Sequence, residues 1–298
     1  MLALIPFPDI DPALLRVELF GREFAIYWYA LAYIAGFVCC LFWVRYLIKQ
    51  PALFTGTPPI TKSQFDDLLT WAIIGVILGG RIGYALFYQP DVYLNDPSRI
   101  LRIWEGGMAF HGGFAGVIIA GLIFCWKHGL NPWSVGDLIG CGTFFGLFFG
   151  RIANFINAEL WGRATDVPWA VAFPGQAAQN CGQVLGEVCG RHPSQLYEAG
   201  LEGLLMFLIS LFLVFRFGIL KRSGAMVGVF FLGYGLSRVF VEAYRQADAQ
   251  FITADNPLGH VIRLGDWGLT MGQTLSLPMV VVGLLVLWLR LSATRDVK

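Results

Sequence analysis

Two stretches of this sequence place guanidinium, carboxylate and amide groups at helical spacing inside otherwise apolar text. In GRIANFINAE, Arg151, Asn154 and Asn157 fall at i, i+3 and i+6 on one broad helix face, and Glu159 follows at its exit. In GYGLSRVFVEAYRQAD, Tyr234, Arg238, Glu242 and Arg245 form a single stripe at i, i+4, i+8 and i+11. Glu198 and Glu202 lie four apart after HPSQLY, Arg81 interrupts a third apolar stretch, His111 precedes a pair of glycines, and Tyr29 follows Trp28. A guanidinium presents a fixed fork of donors that matches phosphate oxygens, so Arg151 and Arg238 together suit an anionic phosphate group. Imidazole titrates near neutrality, which makes His111 a candidate general base.

Each of these residues also admits a plainer role. Arg238 and Glu242, at i,i+4, suit a structural ion pair, and Glu198 and Glu202 suit counter-charges for buried arginines. Arg81 is either a ligand contact or a side chain snorkelling to a polar layer. His111 is either a base or the cap of a helix start, and the glycines of HGGFAG would let substrate or backbone approach its ring. His192 divides between loop organisation and site. Tyr29 and Tyr234 suit lipid positioning or interface anchoring. Arg151 has no acid at i±4 in its own segment, so its partner must come from elsewhere.

The elements that carry these groups belong in a bilayer. Of 298 residues, 56% are hydrophobic and 14% charged, against about a quarter charged in soluble domains. A mean hydropathy of +0.63 and 25 Phe point the same way. A net charge of +1 offers no basic face for nucleic acid. The pattern predicts an all-α integral membrane protein, one membrane domain over 1–298, with seven transmembrane helices near 24–47, 68–88, 108–126, 136–157, 196–216, 225–243 and 269–289. All five lysines (Lys49, Lys62, Lys127, Lys221 and Lys298) fall on one side of that topology. By the positive-inside rule the N-terminus is then periplasmic and the C-terminus cytoplasmic. The ionisable groups of the spans gather toward the outer ends, and the inner halves are expected to carry none. Connections 158–195 and 244–267 become long periplasmic loops. Cys181 and Cys189 lie in the first, where a disulfide and two free thiols are both open, whereas Cys39, Cys40, Cys125 and Cys141 read as small apolar residues. The opening MLALIPFPDIDP lacks a basic n-region and predicts no cleaved signal peptide.

No Walker loop, GxGxxG turn, HExxH pair or GxSxG elbow is present, so no metal, nucleotide cofactor or serine nucleophile is expected. The residues alone leave a lipid-modifying enzyme, a headgroup hydrolase, a transporter or proton-coupled channel, and a structural or receptor protein as readings. Four motifs in order narrow them: WEGGMAFHGG (104–113), GRIANFINAELWGR (150–163), RHPSQLYEA (191–199) and GYGLSRVFVEAYRQAD (233–248), with the Trp-Tyr pair at Trp28 and Tyr29. Across essentially the whole chain the sequence resembles the bacterial prolipoprotein diacylglyceryl transferase (Lgt) family. Ala153 stands where members often have Gly, and the cysteine-bearing segment of loop 158–195 departs from the common pattern.

The resemblance implies transfer of diacylglyceryl from phosphatidylglycerol to the lipobox cysteine of a prolipoprotein, releasing glycerol 1-phosphate. It implies a multi-pass protein of the bacterial inner membrane with its active site toward the periplasm, no cofactor, and the prolipoprotein signal peptide and lipobox as partner. It further implies His111, Arg151 and Arg238 as catalytic residues. Tyr29, Arg81, Asn154, Asn157, Glu159, Tyr234 and Glu242 are expected to bind substrate.

Overall fold

The computed structural model of the chain describes residues 4–19, 21–181, 188–265 and 267–292. Residues 182–187 of the CGQVLGEVC segment and the tail from 293, with Lys298, lie outside them. The chain is mostly helical (65%). Its long helices are α1 (Trp28–Ile48), α2 (Lys62–Phe87), α3 (Phe110–His128), α4 (Pro132–Ile156), α5 (Ser194–Phe217), α6 (Ala225–Val241) and α7 (Met271–Ser292). Five of these, α1, α2, α4, α5 and α7, are long and apolar enough to cross a bilayer, while α6 has 17 residues. Phe42, Leu78, Phe87, Trp126 and Trp288 are each more than half exposed. Apolar surface on this scale is a liability in water and the solvated face in lipid.

Strands correct the all-helical expectation. β1 (Ile5–Pro6) pairs in parallel with β4 (Val171–Ala172), β2 (Ala13–Leu19) forms a hairpin with β3 (Arg22–Tyr27), and β5 (His260–Leu264) pairs antiparallel with β6 (Trp267–Thr270). Residues 24–27, expected to begin the first span, belong to β3. The signal was present: VELFGREFAIY alternates around Gly21, whose φ of +70° suits a tight turn. It was hidden because the apolar text of α1 follows without a break.

The chain packs as two units, Met1–Val44 with Asp137–Lys298, and Arg45–Gly136. In the second, α2 begins at a capping box, where Thr61 accepts from the Gln64 N–H at 3.2 Å and the Gln64 side chain accepts from the Thr61 N–H at 3.0 Å. α2 and α3 then meet through glycine. A Cβ on Gly75 would stand 2.6 Å from the Gly116 carbonyl oxygen, and one on Gly83 2.8 Å from the Gly112 Cα. Glycines four apart on both helices let the backbones touch, which is how helices associate where water supplies no driving force. Gly112 and Gly116 of HGGFAG therefore serve the approach of α2. Arg45 pairs with Asp66 at 2.7 Å in the same unit.

In the first unit α6 packs on α7, where a Cβ on Gly235 would meet the Ser276 carbonyl oxygen at 3.1 Å. Asp137, 1% exposed in the first turns of α4, accepts from the N–H of Gly224 at 2.6 Å and of Val227 at 2.9 Å. It caps the start of α6 from a neighbouring helix. The expectation that inner halves carry no ionisable group is corrected by this residue, which serves as a cap. Cys181 and Cys189 are disulfide-bonded, with Cα atoms 6.1 Å apart. Cys125 and Cys141 are buried free thiols.

Candidate active site

Three arginines and three glutamates from α4, α5, α6 and the turn after α6 converge in the first unit. Glu198, fully buried, lies at their centre: Arg238 Nη1 bonds its Oε1, Arg151 Nε stands 3.2 Å from Oε2, and Arg245 Nε stands 3.9 Å from Oε1. Glu202, also fully buried, stands 3.6 Å from Arg151 Nη2 and 4.0 Å from Arg238 Nη1. Those distances give charge contact without a hydrogen bond. Glu242 closes the ring at 2.9 Å from Arg238 Nη2 and 3.9 Å from Arg245 Nη1. Arg151 and Arg238 thus share one carboxylate, and the partner that Arg151 lacks in its own helix is supplied by α5.

The local fold explains how two carboxylates of α5 reach the same arginines. Ala199–Leu205, between and beyond them, is a π-helical segment. Such wide turns are rare, frequent at functional sites, and shift side chains around the helix. Gly203 lets this segment lie against α4, since a Cβ there would come within 2.6 Å of Phe148 Cβ. Glu242 is held from the junction of β6 and α7: Thr270 Oγ1 donates to its Oε1 at 3.1 Å, and a Cβ on Gly272 would fall 2.5–2.6 Å from its carboxylate oxygens. Thr270 and Gly272 carried no mark in the sequence, because a threonine and a glycine at a helix start read as a cap. Arg245 was visible in the stripe but was not among the expected site residues.

A second polar group follows the end of α4. Asn154, 7% exposed, donates from Nδ2 to Glu159 Oε1 at 2.7 Å, and Gln195 donates to the Glu159 carbonyl oxygen at 2.6 Å. Glu159 itself is exposed. It is flanked by Ala158 and Leu160 with φ of +53° and +56°, a left-handed conformation that costs non-glycine residues energy and persists where surroundings impose it. Asn157 has its Oδ1 buried without a hydrogen bond among the described residues. Tyr29 joins Tyr33 through a 3.2 Å hydroxyl contact and lies within electrostatic reach of Glu159 and Arg151. Tyr234 stacks on Phe230 at 5.8 Å and feels the charges of Glu202, Arg151 and Arg238.

Loop strands hold the outer edge. Gly162 donates to the His192 carbonyl oxygen at 2.8 Å, and Arg163 N–H to that of Tyr244 at 2.8 Å. His192 Nδ1 contacts the Tyr197 hydroxyl at 3.0 Å and its ring packs on Tyr244, so it organises the loop; burial holds its pKa below the usual imidazole value.

His111 and Arg81 belong to the other unit. His111 is exposed in the first turn of α3. Arg81 is only 2% exposed, so it does not snorkel. Its five N–H donors all meet carbonyl oxygens: Ile100 at 3.0 Å, Arg99 at 2.6 Å, Arg102 at 2.9 Å, Gly107 at 3.2 Å, and Gly106. Among the described residues no group of three or more His, Cys, Asp and Glu is arranged to hold a metal ion.

Comparison with known proteins identifies the family. A family profile described as prolipoprotein diacylglyceryl transferase matches residues 17–289. The phosphatidylglycerol–prolipoprotein diacylglyceryl transferase of Roseobacter denitrificans is 56% identical over 285 residues, 95% of this chain and 97% of its own. The protein of that name from Ruegeria pomeroyi is 56% identical over 95% of this chain and 96% of its own. That from Rhizobium leguminosarum bv. trifolii is 48% identical over 99% and 96%. With a profile spanning nearly its whole length and relatives this similar from end to end, the chain belongs to the prolipoprotein diacylglyceryl transferase family.

Proposed function

We propose that the chain transfers the diacylglyceryl group of phosphatidylglycerol to the thiol of a prolipoprotein's lipobox cysteine. The thiolate sulfur attacks glyceryl C3, the C3–oxygen bond to phosphate breaks, and the thioether forms. The thiol proton passes to a base, and the phosphodiester departs as glycerol 1-phosphate. The leaving group gains negative charge as the bond breaks, so preorganised cations aimed at it lower the barrier. The observation that carries this reading is the convergence of Arg151 and Arg238 on Glu198. Arg151 is the most exposed of the three arginines, at 19%, and takes the direct phosphate contact. Arg238, held by Glu198 and Glu242, supplies fixed positive potential. Asn154 and Glu159 orient the headgroup, Tyr29 and Tyr234 position lipid, and Asn157 lines the same end of α4. We assign Arg81 to holding the loop before α3, because its donors are already satisfied.

His111 is the base in this scheme. A free cysteine thiol has a pKa of about 8.5, so an acceptor for its proton matters near neutrality. The protein spans the bacterial inner membrane seven times as a single membrane domain, N-terminus periplasmic, with its site toward the outer leaflet. Loops 158–195 and 244–267 are periplasmic.

The test is purified protein with phosphatidylglycerol and a lipobox peptide, read by mass analysis of the peptide, with thiol-blocked peptide as control. A diacylglyceryl adduct on cysteine is expected. Release of glycerol phosphate without an adduct would make the chain a hydrolase. Replacing His111 with Gln is expected to abolish transfer while phosphatidylglycerol binding stays within a few-fold, and parallel loss of both would remove the base assignment.

A further inference from the structure

Beside the arginine–glutamate cluster lies a separate polar cavity of about 390 Å³, walled by Arg163, Arg191, Asn180, Gln246, Pro257 and Leu258 among others. Two features make it unlike an ordinary loop crevice. Its lining contains two guanidinium groups and, among the described residues, no acid. Arg191, 3% exposed and lying 3.9 Å over the Trp161 ring, has its donors on the carbonyl oxygens of Ala178, Gly162 and Asn180 and on the Gln246 side chain, so it is a fixed positive wall. Among the described residues Arg163 hydrogen-bonds through Nε alone, which donates to the Arg245 carbonyl oxygen at 3.0 Å, so the two terminal nitrogens of this cavity-lining fork are not engaged by them.

The cavity is also joined to the cluster by one residue. Arg245 turns its guanidinium toward Glu198 and Glu242 and its carbonyl toward Arg163, and Gln246, next in the chain, lines the cavity. We propose that this cavity binds a phosphate monoester dianion, the chemical form of the leaving group, as it passes from the cluster to water. The inference rests on the transferase reading for the source of that anion. Charge selects the monoester over the diester: a monoester carries close to two negative charges at neutral pH, its second pKa being about 6, whereas phosphatidylglycerol carries one. Two cations with no carboxylate among the described lining residues match the former. The cluster beside it, with three arginines and three glutamates, is already compensated and would hold a dianion less well. Pro257 and Leu258 supply an apolar part of the wall. Burial pulls both guanidinium pKa values down from their ordinary level, which a bound anion would reverse.

Binding of radiolabelled sn-glycerol 1-phosphate to the full chain, in nanodiscs without phosphatidylglycerol, tests the assignment. Wild type is expected to bind, with displacement by inorganic phosphate and not by short-chain phosphatidylglycerol. Arg163→Gln and Gln246→Glu should each weaken binding at least tenfold. The second is isosteric, keeps an acceptor toward Arg191, and sets one negative charge against the two guanidinium groups without altering the cavity's shape, so it serves if the first fails to fold. No binding by wild type, unchanged affinity in the folded variants, or displacement by the short-chain lipid would each overturn the proposal. The peptide-adduct assay is scored separately: adduct without glycerol phosphate binding removes only the cavity's role, and no adduct removes the transferase reading itself.

Discussion

At the scale of single residues, the site is a balance of buried charges in which Glu198 and Arg238 each have three partners of opposite sign. The Glu198 carboxylate lies within 4 Å of Arg151, Arg238 and Arg245 and shares their compensation with Glu202 and Glu242. Removing one partner of a buried pair leaves an uncompensated charge, at a cost of about 3–5 kcal/mol. Glu198→Gln should therefore lower thermal stability on that scale and disperse the arginines, whereas the same change at the exposed Glu159 should leave the melting temperature within a degree or two while reducing turnover. Equal melting temperatures for both variants would show that Glu198 does not carry this compensation. Gly272 offers a cleaner probe of geometry. Gly272→Ala places a methyl against the Glu242 carboxylate and should cost about 1–3 kcal/mol of overpacking. Turnover should fall at least tenfold as Glu242 shifts from Arg238, with Gly272→Ser no better. Activity within twofold of wild type would place Glu242 outside the positioning of that arginine.

At the scale of elements, glycine decides how α2 and α3 meet. Gly112→Val adds a branched side chain where two backbones touch, and the helices must separate. The expected result is a loss of about 1–3 kcal/mol or more in a denaturation series, the cost of inserting methylenes into packed space. Gly121→Val, at a position with nothing within 4 Å of a Cβ, is the control expected to change little. The π-helical segment of α5 has the same logic in reverse: one wide turn aims Glu198 and Glu202 together, at the expense of regular hydrogen bonding.

At the scale of the whole molecule, the proposed orientation rests on lysine. Lys49, Lys62, Lys127 and Lys221 sit in connections on one side of a seven-span reading, and charge bias of this kind directs loops to the cytoplasm. Cysteines introduced singly beside Lys127 and beside Asp255 should differ in labelling by an impermeant maleimide on intact cells, with only the Asp255 site reacting. Reaction at Lys127 alone would invert the topology and move the proposed site to the cytoplasmic face.

The sequence by itself determined roughly where the long helices run, because lipid-facing helices need continuous apolar text and their ends are marked by Pro and Gly, although the capping box at Thr61 starts α2 at Lys62 and not at the expected 68. It also determined that Arg151 has no acid one turn away in its own helix, leaving another helix, a substrate or water as its partner, and that Arg238 and Glu242 share a stripe, since both follow from helical period alone. Only tertiary structure decided which carboxylate answers which arginine: Arg238 and Glu198 are 40 residues apart in sequence, and no periodicity spans that distance. The same holds for Arg81, whose burial among carbonyl oxygens depends on how a loop folds back over it, and for Gly272, whose missing side chain matters only because Glu242 comes to rest there. Periodicity reports the face on which a side chain lies, whereas its partner is set by packing between distant segments.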